Sequence, residues 1–311
     1  MEFRHLGMSG LVVSAIGLGT NSLGMKVDFE RCREVVHKAL DEGITLFDTA
    51  DVYGTSEERL GKLLEGHRNE VVLATKFGAR PRGVAKGQSP AGRGSRRYIR
   101  QAVEASLRRL RTDWIDLYQF HQPDPQTPVE ETLAALTELV REGKVRYLGS
   151  SNFSAFQVAE AEWQARSRGL ERFAGAQNRY SWLYRTPEDE LVPALEHYGI
   201  GLLPYLPLAN GLLTGKYRRG EAPPDGSRIQ AWRLESLLID RVFDVTEGLA
   251  AFADKREVSL LDLAIGGLAA KPAVTSVIAG ATSAAQVAAN VTAGRWRPTE
   301  EDLAELDAIT G

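Results

Sequence analysis

The chain has 311 residues, 43% hydrophobic and 25% charged, a balance that supports a large globular core and excludes extended disorder. With 38 Lys+Arg against 41 Asp+Glu and a net charge of −3, it lacks the strongly basic character expected of a nucleic-acid binder. A single cysteine, Cys32, excludes an intramolecular disulfide, and no stretch nears the roughly 20 apolar residues of a membrane span.

The amino terminus, Met1-Glu-Phe-Arg-His-Leu6, lacks the apolar core of a signal peptide, so a cytoplasmic protein with no membrane partner is expected. In chain order, residues 2–6 and 11–13, around Gly7-Met-Ser-Gly10, predict a hairpin. A strand over 15–19 opens a longer series, followed by a helix over 29–42, a strand over 45–48 and a helix over 56–65. Next come a strand over 71–75, a helix over 97–110, a strand over 115–120 and a helix over 129–142. The series continues with a strand over 147–150, a helix over 156–168, a strand over 174–178, a helix over 188–198 and a strand over 201–204. Two further helices follow Leu237, the last strand spans 274–278, and 299–309 reads as a tail helix packed outside. Eight strands in strict alternation with helices predict an α/β fold, a closed (β/α)8 TIM barrel with an N-terminal β-hairpin and a C-terminal tail helix. No linker divides the chain, so residues 1–311 are expected to form one domain.

Two connections are too long for simple turns, and long ordered loops are usually functional. One spans 78–95 and carries Arg80, Arg82, Lys86 and Arg93; the other spans about 217–234 and carries Trp232. Both follow predicted strands, so both are expected to overhang the barrel mouth.

Four side chains stand where predicted strands run into loops. Asp48 ends one strand and Tyr53 follows five residues later; Lys76 ends the next strand and His121 the one after. Singly, an Asp at a strand end caps a helix and a Tyr fills a core. Their shared position is the informative part, because the C-terminal strand ends of a parallel barrel converge on one mouth. Tyrosine is a poor acid at neutral pH, and a nearby ammonium is expected to lower its pKa. A carboxylate to hold the ammonium and an imidazole to orient a carbonyl complete a device for protonating a carbonyl oxygen.

Other patterns carry less. Gly17-Leu-Gly19-Thr-Asn-Ser22 opens like a dinucleotide fingerprint, but its sixth position is Ser22, and the alternation fits a barrel better than a doubly wound sheet. The five histidines, His5, His37, His67, His121 and His197, show no metal-ligand spacing, so no metal is expected. Cys32 reads as packing.

Phe47-Asp-Thr-Ala-Asp-Val-Tyr-Gly54, Ala74-Thr-Lys-Phe77, Asp116-Leu-Tyr-Gln-Phe-His121, Gly143-Lys-Val-Arg-Tyr-Leu-Gly-Ser-Ser-Asn-Phe153 and Gly211-Leu-Leu-Thr-Gly-Lys-Tyr217 stand in order along the chain. Together they resemble the aldo-keto reductase superfamily, and most of all its bacterial branch near the potassium channel β-subunit relatives. The resemblance implies a nicotinamide dinucleotide extended across the mouth, with Tyr53 as general acid, Lys76 and Asp48 tuning it, and His121 orienting the substrate carbonyl. It implies that Ser151, Asn152 and Gln177 hold the nicotinamide carboxamide, that Tyr205 stacks on its ring, and that Gly19, Thr20, Asp48, Leu206 and Pro207 also belong to the cofactor site. Leu206 and Pro207 stand where relatives usually have Ser-Pro; Leu208, Gly211, Leu212 and Lys216 match the segment over the pyrophosphate. Gly280, Thr282, Gln286 and Asn290 match the adenosine end.

Many relatives carry Lys or Arg where Gly280 and Gln286 stand, and Ala289 replaces a frequent glutamate. NADP, as NADPH, is therefore the expected cofactor with only a modest preference, and NAD the alternative. Trp182, Tyr184, Trp232 and Val52 are candidates to line the substrate pocket. The expected activity is reduction of a small-molecule aldehyde or ketone by a monomer or homo-oligomer. The alternatives are a redox-sensing regulatory protein of the channel β-subunit type and a sugar dehydrogenase or ketoreductase on the same scaffold.

Overall fold

The computed structural model describes residues 1–79 and 92–311. Strands β1 (Phe3–His5) and β2 (Val12–Ser14) form the antiparallel hairpin. Eight strands then run parallel among the described residues. They are β3 (Ile16–Gly19), β4 (Leu46–Asp48), β5 (Val72–Phe77) and β6 (Ile115–Phe120), then β7 (Val145–Ser151), β8 (Phe173–Gln177), β9 (Gly201–Leu202) and β10 (Val277–Gly280). Each strand from β3 to β9 lies beside the next, and β10 returns to pair with β3. Parallel bridges Leu202↔Val274 and Tyr205↔Ile278 join the two remaining edges, giving the expected (β/α)8 barrel.

Most elements fall within a residue or two of their expected bounds, and two differ for local reasons. The last strand starts at Val277 rather than 274, because Ala273 adopts a left-handed φ of 60° and Val274 N–H turns back to the Lys271 carbonyl. The helix expected over 188–198 begins at Leu191, after a short 3-10 turn, Thr186–Glu188, that contains Pro187. Helix starts are set by polar caps: Asp28 for Phe29–Asp41, Ser95 for Arg96–Leu110, and Ser154 with Gln157 for Ala155–Arg168.

The two-residue period of the strands sorts side chains into layers. Leu46, Ala74, Leu117 and Ile278 face the barrel interior, where Leu6, Leu11 and Val13 from the hairpin segment pack beneath them. The approach is close: a Cβ on Gly201 would lie 2.6 Å from Gly7 N, and one on Gly175 would lie 3.0 Å from Leu6 Cδ2. Phe47, Leu73, Phe77, Tyr118 and Phe120 point outward into the core shared with the helices. One step further along the inward rows come Asp48, Lys76 and Gln119. The hairpin thus plugs the floor, and alternation alone delivers polar groups to the opposite mouth.

A second core lies outside the barrel, where Trp182, Leu213, Ile229, Phe252 and Leu306 pack with the helix Asp240–Lys255 and the tail helix Glu300–Thr310. Among the described residues no helix is long and apolar enough to cross a membrane.

Candidate active site

The mouth holds a cavity of about 610 Å³ lined by Asp48, Tyr53, His121, Ser151, Asn152, Gln177, Tyr205 and Arg228, among others. Beneath it, Lys76 is fully buried, and its ammonium donates to both Asp48 carboxylate oxygens at 2.7 Å and to the Thr49 carbonyl at 2.9 Å. Asp48 Oδ1 also accepts from Gln177 Nε2 at 2.7 Å and Gln119 Nε2 at 3.2 Å. The carboxylate is saturated with donors, which is the condition for keeping a buried charge. The Thr20 hydroxyl donates to the Asp48 carbonyl at 2.8 Å, and Ser56 Oγ donates to Thr20 Oγ1 at 2.7 Å, tying β3, β4 and the following helix together under the site.

Lys76 Nζ lies 5.1 Å from the centre of the Tyr53 ring, and the Tyr53 ring meets His121 edge-on with centroids 5.9 Å apart. Burial pulls the Lys76 ammonium down, but Asp48 and Tyr53 together outweigh it and leave its pKa raised. For Tyr53 the expected lowering by Lys76 is overturned. Burial is the strongest influence and leaves the phenol above its usual range, despite the pull of Lys76. Burial, then the cations of Lys76 and Arg93, push His121 down to about 3, so its imidazole is neutral at pH 7. Its Nδ1 is buried with no hydrogen-bond partner.

Asn152 is locked at both ends: its amide donates to the His121 carbonyl at 2.9 Å and Ser151 Oγ at 3.1 Å, and accepts from the Tyr205 hydroxyl at 2.7 Å. Asn152 and Leu206, both lining the cavity, hold left-handed φ values of 62° and 57°, and Ala209 and Asn210 follow with 46° and 61°. Such backbone costs about 1–3 kcal/mol per residue and collects at ligand sites. Gly280 leaves its strand end open, since a Cβ there would meet only Gly19 O, at 3.8 Å, whereas one on Gly19 would press on Ile278 Cγ2 at 3.0 Å. Gly211 has φ 94°, and a Cβ there would sit 3.2 Å from Lys216 Nζ, which folds over it. Pro207 and Leu212 are buried beside this segment, and Leu208 is half-buried. At the far end of the mouth, Gln286 Oε1 accepts from Thr282 N at 2.7 Å, and Asn290 Nδ2 reaches the Gly280 carbonyl at 3.5 Å.

Three expected contacts are corrected. Trp182 is buried in the outer core with its indole N–H given to the Leu263 carbonyl at 2.7 Å, so it does not line the cavity. Trp232 stands at the rim with the Arg228 guanidinium 4.5 Å from its ring, backing that arginine. Tyr184 belongs to a neighbouring cavity, under the Arg179 guanidinium. Val52, by contrast, lines the cavity.

Of the loop expected to overhang the mouth, Arg80, Arg82 and Lys86 lie outside the described residues. Arg93 is not a mouth cation but a buried tie, donating to the Gly78 carbonyl at 2.5 Å and the Pro123 carbonyl at 3.4 Å. Arg93→Ala should therefore cost about 2 kcal/mol or more in urea unfolding, by orphaning buried carbonyls. An unchanged midpoint would make it a surface charge after all.

Three residues escaped sequence reading. Gln119 faces inward in register with Lys76 and was findable from alternation. Arg228 lines the cavity with its Nε buried and unpartnered, and Arg31 donates to the Thr282 carbonyl at 3.0 Å. Arg228 stands in the 217–234 connection expected over the mouth, where nothing in the sequence singles it out, and Arg31 comes from a helix that only tertiary structure brings here. Among the described residues no group of His, Cys, Asp and Glu is arranged to hold a metal.

The family model described as Aldo/keto reductase family matches residues 15–310. A probable voltage-gated potassium channel subunit beta of Arabidopsis thaliana is 36% identical over 94% of this chain and 91% of its own length. An uncharacterized oxidoreductase, YrpG, of Bacillus subtilis is 35% identical over 99% of this chain and 96% of its own. A putative voltage-gated potassium channel subunit beta of Schizosaccharomyces pombe is 34% identical over 99% of this chain and 93% of its own.

Proposed function

The chain belongs to the aldo/keto reductase family, an oxidoreductase family that uses NAD(P)H, and on that premise we propose that it reduces aldehydes or ketones to alcohols with Tyr53 as proton donor. The observation that carries this reading is the buried Lys76–Asp48 pair beneath a protonated Tyr53, beside a neutral His121, at one mouth. A bound reduced nicotinamide supplies a hydride to the carbonyl carbon. Tyr53 gives its hydroxyl proton to the carbonyl oxygen, and Lys76 stabilises the phenolate left behind. His121, uncharged, holds the carbonyl oxygen by hydrogen bonding without competing as an acid. In the reverse direction the same residues serve alcohol oxidation.

The open strand end at Gly280, with Gly19 beside it on the cavity wall, fits a dinucleotide laid across the mouth. Ser151, Asn152 and Gln177 would meet its carboxamide, Tyr205 its nicotinamide ring, and Arg228 with Lys216 its diphosphate. Gln177 would have to turn part of its amide from Asp48 to do so.

At the adenosine end, Arg31 brings a cation beside Thr282, from a helix rather than from positions 280 or 286. This supports NADPH over NADH. Arg31→Ala should weaken NADPH binding about five- to tenfold, the loss of a charge-assisted contact to the 2′-phosphate, and leave NADH unchanged. Fluorescence titration of both cofactors checks it; equal weakening of the two would remove Arg31 from cofactor discrimination.

A second reading rests on the relatives named as potassium channel β-subunits: a cofactor-binding protein whose redox state is sensed and whose turnover is incidental. Cofactor oxidation measured across aldehydes, ketones, sugars and quinones separates the two. Turnover well above background with one class supports the reductase; cofactor binding with background turnover throughout supports the sensor.

A further inference from the structure

Asp51 is a half-buried titratable group to which proton delivery by Tyr53 assigns no task. It sits in the turn between Asp48 and Tyr53, where its backbone N–H donates to the Lys76 carbonyl at 3.2 Å and Tyr53 N–H donates to the Ala50 carbonyl at 3.1 Å. Its side-chain Oδ1 is buried without a hydrogen-bond partner, and so is the Tyr118 hydroxyl, on which Asp51 is the leading charge. A buried polar atom left unpaired calls for an explanation.

The groups facing Asp51 come from every element around it. The helix Ser56–Leu63 brings Glu57, whose Oε1 accepts from Thr75 Oγ1 at 2.6 Å and whose Oε2 accepts from Arg109 Nε at 2.6 Å. The helix Arg96–Leu110 brings Arg109 and Tyr98, β5 brings Lys76, and β6 brings Tyr118. Burial, then the Glu57 carboxylate, push the Asp51 carboxyl up to about 7, against the pull of Arg109, Lys76 and the Val52 N–H. Both Glu57 carboxylate oxygens are taken up by Thr75 and Arg109, so neither is turned to a partner on Asp51.

We propose that Asp51 is a pH-sensitive positioning residue for the Tyr53–Lys76 pair, leaving the backbone-bonded turn undisturbed while neutral and weakening proton delivery once ionised. This rests on the reductase reading. An ionised Asp51 adds a negative charge near Lys76, which makes the ammonium less available to stabilise a Tyr53 phenolate. It also repels Glu57, loading the turn that carries Tyr53. The step is a proton transfer alone: the Asp51 O–H bond breaks and its proton passes to water.

The test is the pH profile of single-turnover NADPH oxidation with a saturating aldehyde, a step before product release. In the natural protein the rate should fall about three- to tenfold as pH rises through about 7, the effect of moving a proton donor's pKa by roughly one unit. Asp51→Asn mimics the neutral carboxyl and should flatten that limb. Glu57→Gln removes the charge that opposes ionisation and should move the limb to lower pH, which serves if Asp51→Asn folds poorly.

Thermal unfolding without cofactor reads the same proton independently. The folded pKa lies above the unfolded value near 3.9, so the stability Asp51 contributes is complete below that value and is lost as pH rises to about 7. The Tm of Asp51→Asn should gain on the natural protein across that window and hold a constant lead above it. A limb that survives in Asp51→Asn, or a Tm difference independent of pH, with normal turnover, would overturn this role alone. Natural protein that oxidises no cofactor with any carbonyl would overturn the reductase reading, and this role with it.

Discussion

Tyr53→Phe should lower the rate of carbonyl reduction by about 10²–10⁴-fold, the usual contribution of a positioned general acid, while cofactor affinity stays within about twofold. The substitution keeps the ring, so the edge-on contact with His121 and the packing over Lys76 survive. It removes one hydroxyl, which is the only group at this position able to deliver a proton. His121 cannot take over as an acid at neutral pH, because burial and the cations of Lys76 and Arg93 hold it neutral. Single-turnover kinetics and cofactor titration on one preparation check both halves. A variant with near-natural turnover would end the proposed proton path; one that lost cofactor binding as well would place Tyr53 in binding rather than chemistry.

The barrel was legible because period-2 strands and amphipathic helices alternate without interruption, and each pattern is local. The gathering of Asp48, Tyr53, Lys76 and His121 at one mouth followed from strand ends alone, and the structure brings them together in one cavity and the layer beneath it. What failed was whatever depends on direction or depth. Trp182 follows a strand end as a site residue does, yet its side chain turns into a core built by helices some 60 to 130 residues later in the sequence. Arg93 read as one charge in a basic loop because sequence does not say that its guanidinium is buried under the Gly78 carbonyl. The effect of Lys76 on Tyr53 was visible as a pair of residue types; burial, which reverses the sign, was not. Arg228 was unreadable because the direction of a side chain within the 217–234 connection is not in the sequence, and Arg31 because it lies on a helix, away from any strand end.

Lys76→Met should cost about 3–5 kcal/mol of stability and abolish most activity, because it leaves a buried Asp48 carboxylate without its cation. Two consequences are entangled in that single variant, one structural and one chemical. Gln119 and Gln177 would still donate to Asp48, but two neutral amides do not replace an ammonium that meets both oxygens. The double variant Asp48→Asn with Lys76→Met separates the two. Removing both partners of a buried pair leaves no uncompensated charge, so most of the lost stability should return and the two effects should be strongly non-additive. Activity should not return, since Tyr53 would still have no ammonium to stabilise its phenolate. Urea unfolding and single-turnover rates on the three variants test this together. A double variant as unstable as Lys76→Met would mean that the pair's value lies in packing. A Lys76→Met protein that kept its turnover would remove the ammonium from proton delivery, whatever its stability.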